Sequence, residues 1–467
     1  MATPRFFYFF LLLLSIHFGM AQNEKTAAVM KSIQEEYNSN RFEQLFEQFS
    51  PEMQSSLPLP KTTAFFTQLH TDAGQLVATS FVKNMGNGYE HYKGEFEKGD
   101  FSIFISLDES QKINGLGFRP FVQESDKKRI NTLTDYPSFI TTSFSTFTND
   151  FPEKTQLSVA IIRKGIVDFY GMIIQNDSIK YTENHEKVFE IGSITKVFTS
   201  TVFAELIQAK KIKADSYLHT YYPFDFHDAT PIQLIQLSNH TSGLPRLPEN
   251  LNITNEANPY RTYSEKELNT YLEKIVMLKK SDSPQYEYSN LGAGLLGHTL
   301  GLSQKKPFTS LLQENIFAKY GMKNTYVHPK SCQDIRINGL NPEGREVENW
   351  EFDVLFGGGG ILSTTTDLAT FVKAHFNPKN KTLALTRKPT FTVNETMQVG
   401  MGWHIFNSPK EEPIHWHTGG TGGYSSCLVM NVKSQNAVII LSNVSAFHPQ
   451  AEKIEQLSFE ILKQLEE

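Results

Sequence analysis

Ser193 and Lys196 stand three residues apart at the head of an apolar run, Glu190-Ile-Gly-Ser-Ile-Thr-Lys-Val-Phe-Thr-Ser200. On a helix, residues three apart share a face. A lysine packed against Val197, Phe198 and Val202 sheds its proton more easily, because burial disfavours the charged form. It can then act as a general base toward the serine hydroxyl. The unpaired N–H groups of a helix start favour the negative charge that develops there. Ser-x-x-Lys is a weak pattern alone, and the chain also carries it at Ser80/Lys83, Ser125/Lys128 and Ser303/Lys306. Ser125 and Ser303 lie in polar stretches. Ser80 ends a predicted strand, where residues three apart face opposite ways. Without further context, Ser193 reads equally well as a helix cap followed by a surface lysine.

Two further clusters can complete that chemistry. Tyr288-Ser289-Asn290 precedes a glycine-rich apolar stretch, Leu-Gly-Ala-Gly-Leu-Leu-Gly297, predicted to be a helix packed very closely on a neighbour. A tyrosine beside a lysine ammonium loses its proton more readily and can relay protons to a leaving group. Asn290 can donate to a substrate carbonyl. In His415-Trp-His417-Thr418-Gly419-Gly420 the glycines allow a substrate backbone to approach a strand and leave N–H groups for an oxyanion. His415 and His417 share a strand face. Zinc is the competing use of that pair, but no Glu or Cys ligands stand alongside. No metal and no cofactor is assigned.

These residues need a scaffold, and 467 residues suggest two to three folding units. A formal net charge of −6 argues against a nucleic-acid partner. Arg5 followed by the apolar run 6–14 and by Gly19-Met-Ala21 is expected to be a secretory signal peptide, residues 1–21, too short to span a bilayer. The mature chain is expected to be periplasmic or extracellular, without a transmembrane anchor. Two cysteines exclude a disulfide framework. One Cys332–Cys427 bridge is conceivable, although Cys427 sits in an apolar strand and reads as core.

Residues 22–122 read as a small α+β domain: helical spacing from Thr26 to Phe49 ended by Pro51, Pro58 and Pro60, then four alternating runs, Gln75–Val82, Tyr89–Glu97, Phe101–Leu107 and Lys112–Phe118. Residues 123–137 read as a linker, with Lys127-Lys128-Arg129 solvated. Residues 138–467 read as the main domain, with strands at both ends and helices between. Paired strands Leu157–Ile162 and Ile166–Ile174 begin it, Tyr424–Val432 and Ala437–Ser442 return late, and a helix closes it. Distant segments thus complete one sheet around a helical insertion.

Ser-x-x-Lys, Tyr-x-Asn and His-x-Gly in this order resemble serine β-lactamases of class C, penicillin-binding proteins and their D,D-peptidase, esterase and D-aminopeptidase relatives, over residues 138–467. Leu237-Ser-Asn-His-Thr-Ser-Gly-Leu-Pro245 and Gly357–Gly360 with the following Ile-Leu-Ser-Thr-Thr-Thr-Asp367 resemble further turns of that family, which makes Asn239, His240 and Ser242 structural and Asp367 a helix-start acid. The resemblance implies an α/β (α+β) β-lactamase/transpeptidase-like fold: an antiparallel sheet flanked by helices with a helical insertion. Ahead of it, residues 22–122 resemble a cone-like accessory domain. The resemblance implies Ser193 as acylated nucleophile, Lys196 as base, and Tyr288 as partner of leaving group and deacylating water. It implies Asn290, His417, Thr418 and Gly419 as substrate contacts, and Gly420 as second oxyanion donor beside the Ser193 N–H. His417 stands where many β-lactamases carry lysine. A histidine is mostly neutral near pH 7, so it suits a substrate carboxylate less well, although it can still donate a hydrogen bond.

Three activities stay open on these residues. One is a hydrolase of esters or amides, D-amino-acid peptides among them, working through a Ser193 acyl-enzyme. A second is a true class C-like β-lactamase. A third is a slow-turnover penicillin-binding or sensor protein. In each the partner is a small molecule or peptide. Specificity is expected in the helical insertion and around Trp403.

Overall fold

A computed structural model describes residues 24–85, 88–121, 128–251, 258–278, 283–407 and 412–467. The expected signal peptide, 1–21, lies outside them. The chain divides into two compact units after Glu124.

In the first unit the helices Glu24–Asn38, Phe42–Glu47, Pro51–Ser56 and Leu59–Ala73 precede four strands, Leu76–Asn84, Tyr89–Phe96, Gly99–Leu107 and Ile113–Pro120. The strands pair antiparallel in sequential order. Pro51 and Pro60 open helices as well as end them. Each occupies the first helical turn, where its missing N–H is no loss. Met30, Ile33, Tyr37, Phe66, Ile103 and Ile105 build a core between helices and sheet.

The second unit is built on a ten-stranded sheet among the described residues. From one edge it runs Phe391–Thr392, Met397–Val399, His404–Phe406, Ile414–Gly420, Ser425–Asn431, Asn436–Ser442, Gln156–Arg163, Ile166–Ile174, Ser178–Tyr181 and Ile130–Asn131. All pairings are antiparallel except the last, which is parallel. The strand Asn436–Ser442 pairs with Gln156–Arg163, so the two ends of the unit close one sheet. Side chains alternate across that sheet. Val159, Ile161, Val438 and Ile440 face the helices Ser138–Thr148 and Lys453–Glu466. Ala160, Ile162, Ile439 and Leu441 face the larger core around the helix Thr195–Gln208.

Residues 128–137 are not a linker. Ile130–Asn131 is the edge strand, Leu133 is buried, and the Tyr136 hydroxyl donates to the Gly171 carbonyl at 2.8 Å. Arg129, expected in solvent, donates to the Phe151 carbonyl at 2.7 Å. The remainder of the expected linker, 123–127, lies outside the described residues. Both cysteines are free and buried, in separate apolar clusters, so the conceivable bridge is not formed.

Candidate active site

Ser193 sits in a single 3-10 turn, Gly192–Ile194, that runs straight into the helix Thr195–Gln208. Gly192 takes φ +50°, a left-handed conformation that strains any residue with a Cβ. The turn is tied on three sides. Ile191 N–H donates to the Ile361 carbonyl at 3.1 Å, Ile361 N–H donates to Thr195 Oγ1 at 3.1 Å, and the Ser426 hydroxyl donates to the Ile191 carbonyl at 3.0 Å. Gly419 and Gly420, at the end of the strand Ile414–Gly420, lie directly against Ile191 and Gly192. Only glycines admit so close an approach, which brings the Gly420 amide beside the peptide that carries Ser193.

Lys196 lies one turn along the same face and is 1% exposed. Its Nζ reaches Ser193 Oγ at 2.8 Å, Asn290 Oδ1 at 2.9 Å and the Gly358 carbonyl at 2.6 Å. None of these partners is anionic. Burial, with the field of Arg246, therefore holds the amine well below the ordinary lysine range. A neutral amine fits all three contacts: two N–H bonds to Asn290 and Gly358, and a lone pair for the Ser193 hydroxyl.

The glycine turn that supplies the Gly358 carbonyl packs on the helix Asn290–Gln304. A Cβ on Gly294 would come within 2.8 Å of Leu355 Cα, and one on Gly297 within 3.1 Å of Gly357 Cα. The expectation of a closely packed glycine helix holds, and its use is to place Asn290 beside Lys196. Ser289 caps that helix and also donates to the Pro245 carbonyl at 2.6 Å. His240, at φ +61°, accepts from Ser289 N–H through Nδ1 at 3.2 Å. Its carbonyl accepts from Glu287 N–H at 2.8 Å. The loop 239–242 is therefore a brace for the Tyr-Ser-Asn segment. Asp367 lies in the first turn of the helix Thr365–His375 and accepts from Asn324 N–H and the Thr325 hydroxyl.

The Tyr288 ring lies 4.9 Å from Lys196 Nζ, and the Ser193 side chain acts on its hydroxyl. Burial pushes its pKa up, against the lowering effects of Ser193 and of the Arg246 charge. The expected easing of deprotonation by a lysine ammonium meets an opposing effect in the burial of the phenol. Lys196 is itself disposed to be neutral, and desolvation of the phenol dominates.

Ser193, Tyr288, Asn290, Thr418, Gly419 and Gly420 line one cavity of about 540 Å³. His417 does not line it. Strand alternation turns that side chain to the buried face, 2% exposed, with its ring 6.2 Å from Tyr288 and 5.0 Å from His404. Its Nδ1 lies 2.6 Å from the Thr418 carbonyl oxygen. A carbonyl only accepts, so Nδ1 carries the hydrogen and Nε2 the lone pair. Nε2 is buried without a hydrogen-bond partner among the described residues. Burial, then His404 and Lys196, hold the ring well below the usual histidine range. The expected hydrogen bond from His417 to a substrate carboxylate is thereby lost, because the free nitrogen is an acceptor. His415 lies on the same strand face but borders a different cavity and reaches the Arg387 carbonyl through Nε2 at 3.3 Å. Among the described residues no group of three or more His, Cys, Asp or Glu is arranged to hold a metal ion.

Several lining residues have no counterpart in the sequence reading. Arg246 and Leu247 follow the Leu-Pro turn, Tyr260 and Trp350 come from the insertion, His404 opens the strand His404–Phe406, and Phe447 lies in the turn after the strand Asn436–Ser442. Trp403 is 1% exposed and belongs to the core, packed on His375. Its neighbour His404 is the lining residue and bonds the Tyr286 hydroxyl through Nε2 at 2.8 Å. Burial, with Lys196, lowers the His404 pKa to about 4. The one available signal for Arg246 was its place directly after the Ser-Gly-Leu-Pro turn.

Residues 150–463 match the beta-lactamase family model, and residues 31–116 match a protein family of unknown function. The chain belongs to the β-lactamase family, whose members are serine hydrolases. A "Beta-lactamase" of Pseudomonas fluorescens is 25% identical over 340 residues, 64% of this chain and 90% of that protein. A D-alanyl-D-alanine-carboxypeptidase/endopeptidase of Escherichia coli is 28% identical over 272 residues, 52% of this chain and 68% of that protein. A solved "Beta-Lactamase/D-Alanine Carboxypeptidase" from Pseudomonas syringae shares the fold, with a TM-score of 0.59 at 22% identity, over 70% of this chain and 98% of its own.

Proposed function

We propose that this chain is an exported serine hydrolase that cleaves esters or amides through an acyl-enzyme on Ser193, with D-amino-acid peptides as its natural substrate class. The observation that carries the reading is the buried Lys196 amine, held on Ser193 Oγ with only neutral acceptors around it. Lys196 takes the Ser193 proton as Oγ attacks the substrate carbonyl carbon. The Ser193 and Gly420 N–H groups receive the oxyanion. Tyr288 gives its phenolic proton to the departing nitrogen or oxygen, and the Lys196 ammonium returns a proton to Tyr288. Water then attacks the acyl-enzyme, losing its proton to the same pair, and Ser193 is regenerated. The E. coli relative, named for D-alanyl-D-alanine substrates, supports the substrate class.

A β-lactamase is the second reading, favoured by the P. fluorescens relative. A buried, neutral His417 suits it less well. Intact-mass spectrometry over time, with a chromogenic cephalosporin, a fluorophosphonate and a short-chain nitrophenyl ester, tests the proposal. A permanent fluorophosphonate adduct on Ser193 is expected, with only a transient acyl adduct and sustained turnover of the ester. A permanent acyl adduct without turnover would make it a sensor or slow penicillin-binding protein, and no adduct with any probe would contradict the assignment of Ser193.

A further inference from the structure

We propose that Arg246 is the anion-recognising residue of this site, selecting substrates with a carboxylate close to the scissile bond. The inference rests on the acyl-enzyme reading above and adds what the site selects. Arg246 lines the same cavity as Ser193, and its guanidinium carbon lies 5.2 Å from the centroid of the Tyr288 ring. Among the described residues no carboxylate pairs with it. The Arg246 backbone is anchored to the catalytic segment itself, since its carbonyl accepts from Asn290 N–H at 3.0 Å and Leu291 N–H at 3.2 Å. A guanidinium held over a ring and free at its edge keeps its N–H fork for a planar anion.

The rest of the cavity leaves an anion little choice. Lys196 is buried behind Ser193 and occupied by three partners. His417 gives its one N–H to the Thr418 carbonyl and has no hydrogen left for an anion. His404 engages Tyr286. The far wall, from the helix Lys453–Glu466 and the residue before it, carries Glu452 and Glu455. Those acids repel a carboxylate and turn it toward the Tyr-Ser-Asn wall, where Arg246 stands. The cation thus comes from the loop after Pro245 and not from the strand Ile414–Gly420.

The test compares two matched substrate pairs: the nitrophenyl hemisuccinate and butyrate esters, and an acetylated D-Ala-D-Ala peptide with its C-terminal amide. Wild type is expected to prefer the anionic member of at least one pair. Arg246→Gln is expected to lower that anionic-to-neutral ratio of kcat/KM about five- to tenfold. Arg246→Lys restores part of it, and added salt weakens the wild-type preference. In a Ser193→Ala background, calorimetric Kd values of the peptide acid and amide give the same comparison without turnover. A ratio unchanged by Arg246→Gln in both turnover and binding overturns the proposal. Absence of turnover and of a Ser193 adduct in wild type, with the Kd ratio still dependent on Arg246, would instead overturn only the acyl-enzyme reading.

Discussion

Each unit of this protein buries an ionisable side chain, and the two are treated differently. In the first unit Glu90 is 7% exposed and accepts from the Thr26 hydroxyl at 2.8 Å and the Tyr92 hydroxyl at 3.0 Å. In the second, Lys196 is more deeply buried, faces only neutral groups and opens through Ser193 to a cavity. A buried carboxylate whose oxygens are met by fixed donors is a structural cross-link. A buried amine with no anion beside it is poised to exchange a proton. Burial alone therefore does not mark chemistry. The partners and the access do.

The comparison breaks first at Ser193, the proposed nucleophile. Ser193→Ala is expected to abolish acylation, with turnover falling at least about 10⁴-fold, as read by intact mass and initial rates. Undiminished labelling of that variant would remove the site. Lys196→Met is expected to cut acylation about 10³-fold while leaving thermal stability within about 1 kcal/mol of wild type or above it, because it replaces a buried polar group that has no ionic partner. A large stability loss with normal acylation would make Lys196 structural.

A third buried group, Glu190, sharpens the contrast from within the catalytic segment. It accepts from Asn349 Nδ2 at 2.6 Å and Trp350 N–H at 2.9 Å, yet burial raises its pKa to about 7. Between pH 4.5 and 7 the folded chain therefore holds a proton that the unfolded chain has lost. The sign follows: this group's stabilisation is complete below pH 4.5 and is lost as pH rises through 7, by about 3 kcal/mol in all. Chemical denaturation of wild type against Glu190→Gln across that range is expected to show the difference. A flat difference would contradict it. The smallest effect is expected from Glu90→Met, which strands two hydroxyl donors and costs about 1–3 kcal/mol in the first unit. Hydrogen exchange over residues 28–118 reads it, and ester turnover is expected to stay at the wild-type rate.

Much of this was legible in the chain. The four hairpin strands of the first unit, the pairing around Lys164-Gly165 and the closing helix follow from alternation and periodicity. Ser193, Lys196, Tyr288 and Asn290 meet because helix geometry and a glycine helix leave them little freedom. What was not legible depends on tertiary neighbours. Residues 128–137 look polar but supply an edge strand and a buried leucine, since a short edge strand needs little apolar sequence. His417 reads as a substrate ligand through the family's His-x-Gly motif, and its burial, 2% exposed, is set by neighbours the motif does not report. The Tyr288 phenol is governed by desolvation, which one-dimensional spacing does not report. Arg246, Tyr260, Trp350 and His404 come from four separate segments, and nothing local marks them as neighbours of one serine.

The central claim is that Lys196 is a neutral base at ordinary pH. The rate of Ser193 phosphonylation by a fluorophosphonate, with fluoride as leaving group, followed by intact mass across pH 5–11, tests it most directly. The account predicts a rate already near its plateau at neutral pH, falling on the acid side as Lys196 takes up a proton, and absent at every pH in Lys196→Ala. A rate that climbs steadily toward pH 10.5, the value of an unperturbed lysine, or that survives in Lys196→Ala, would contradict it.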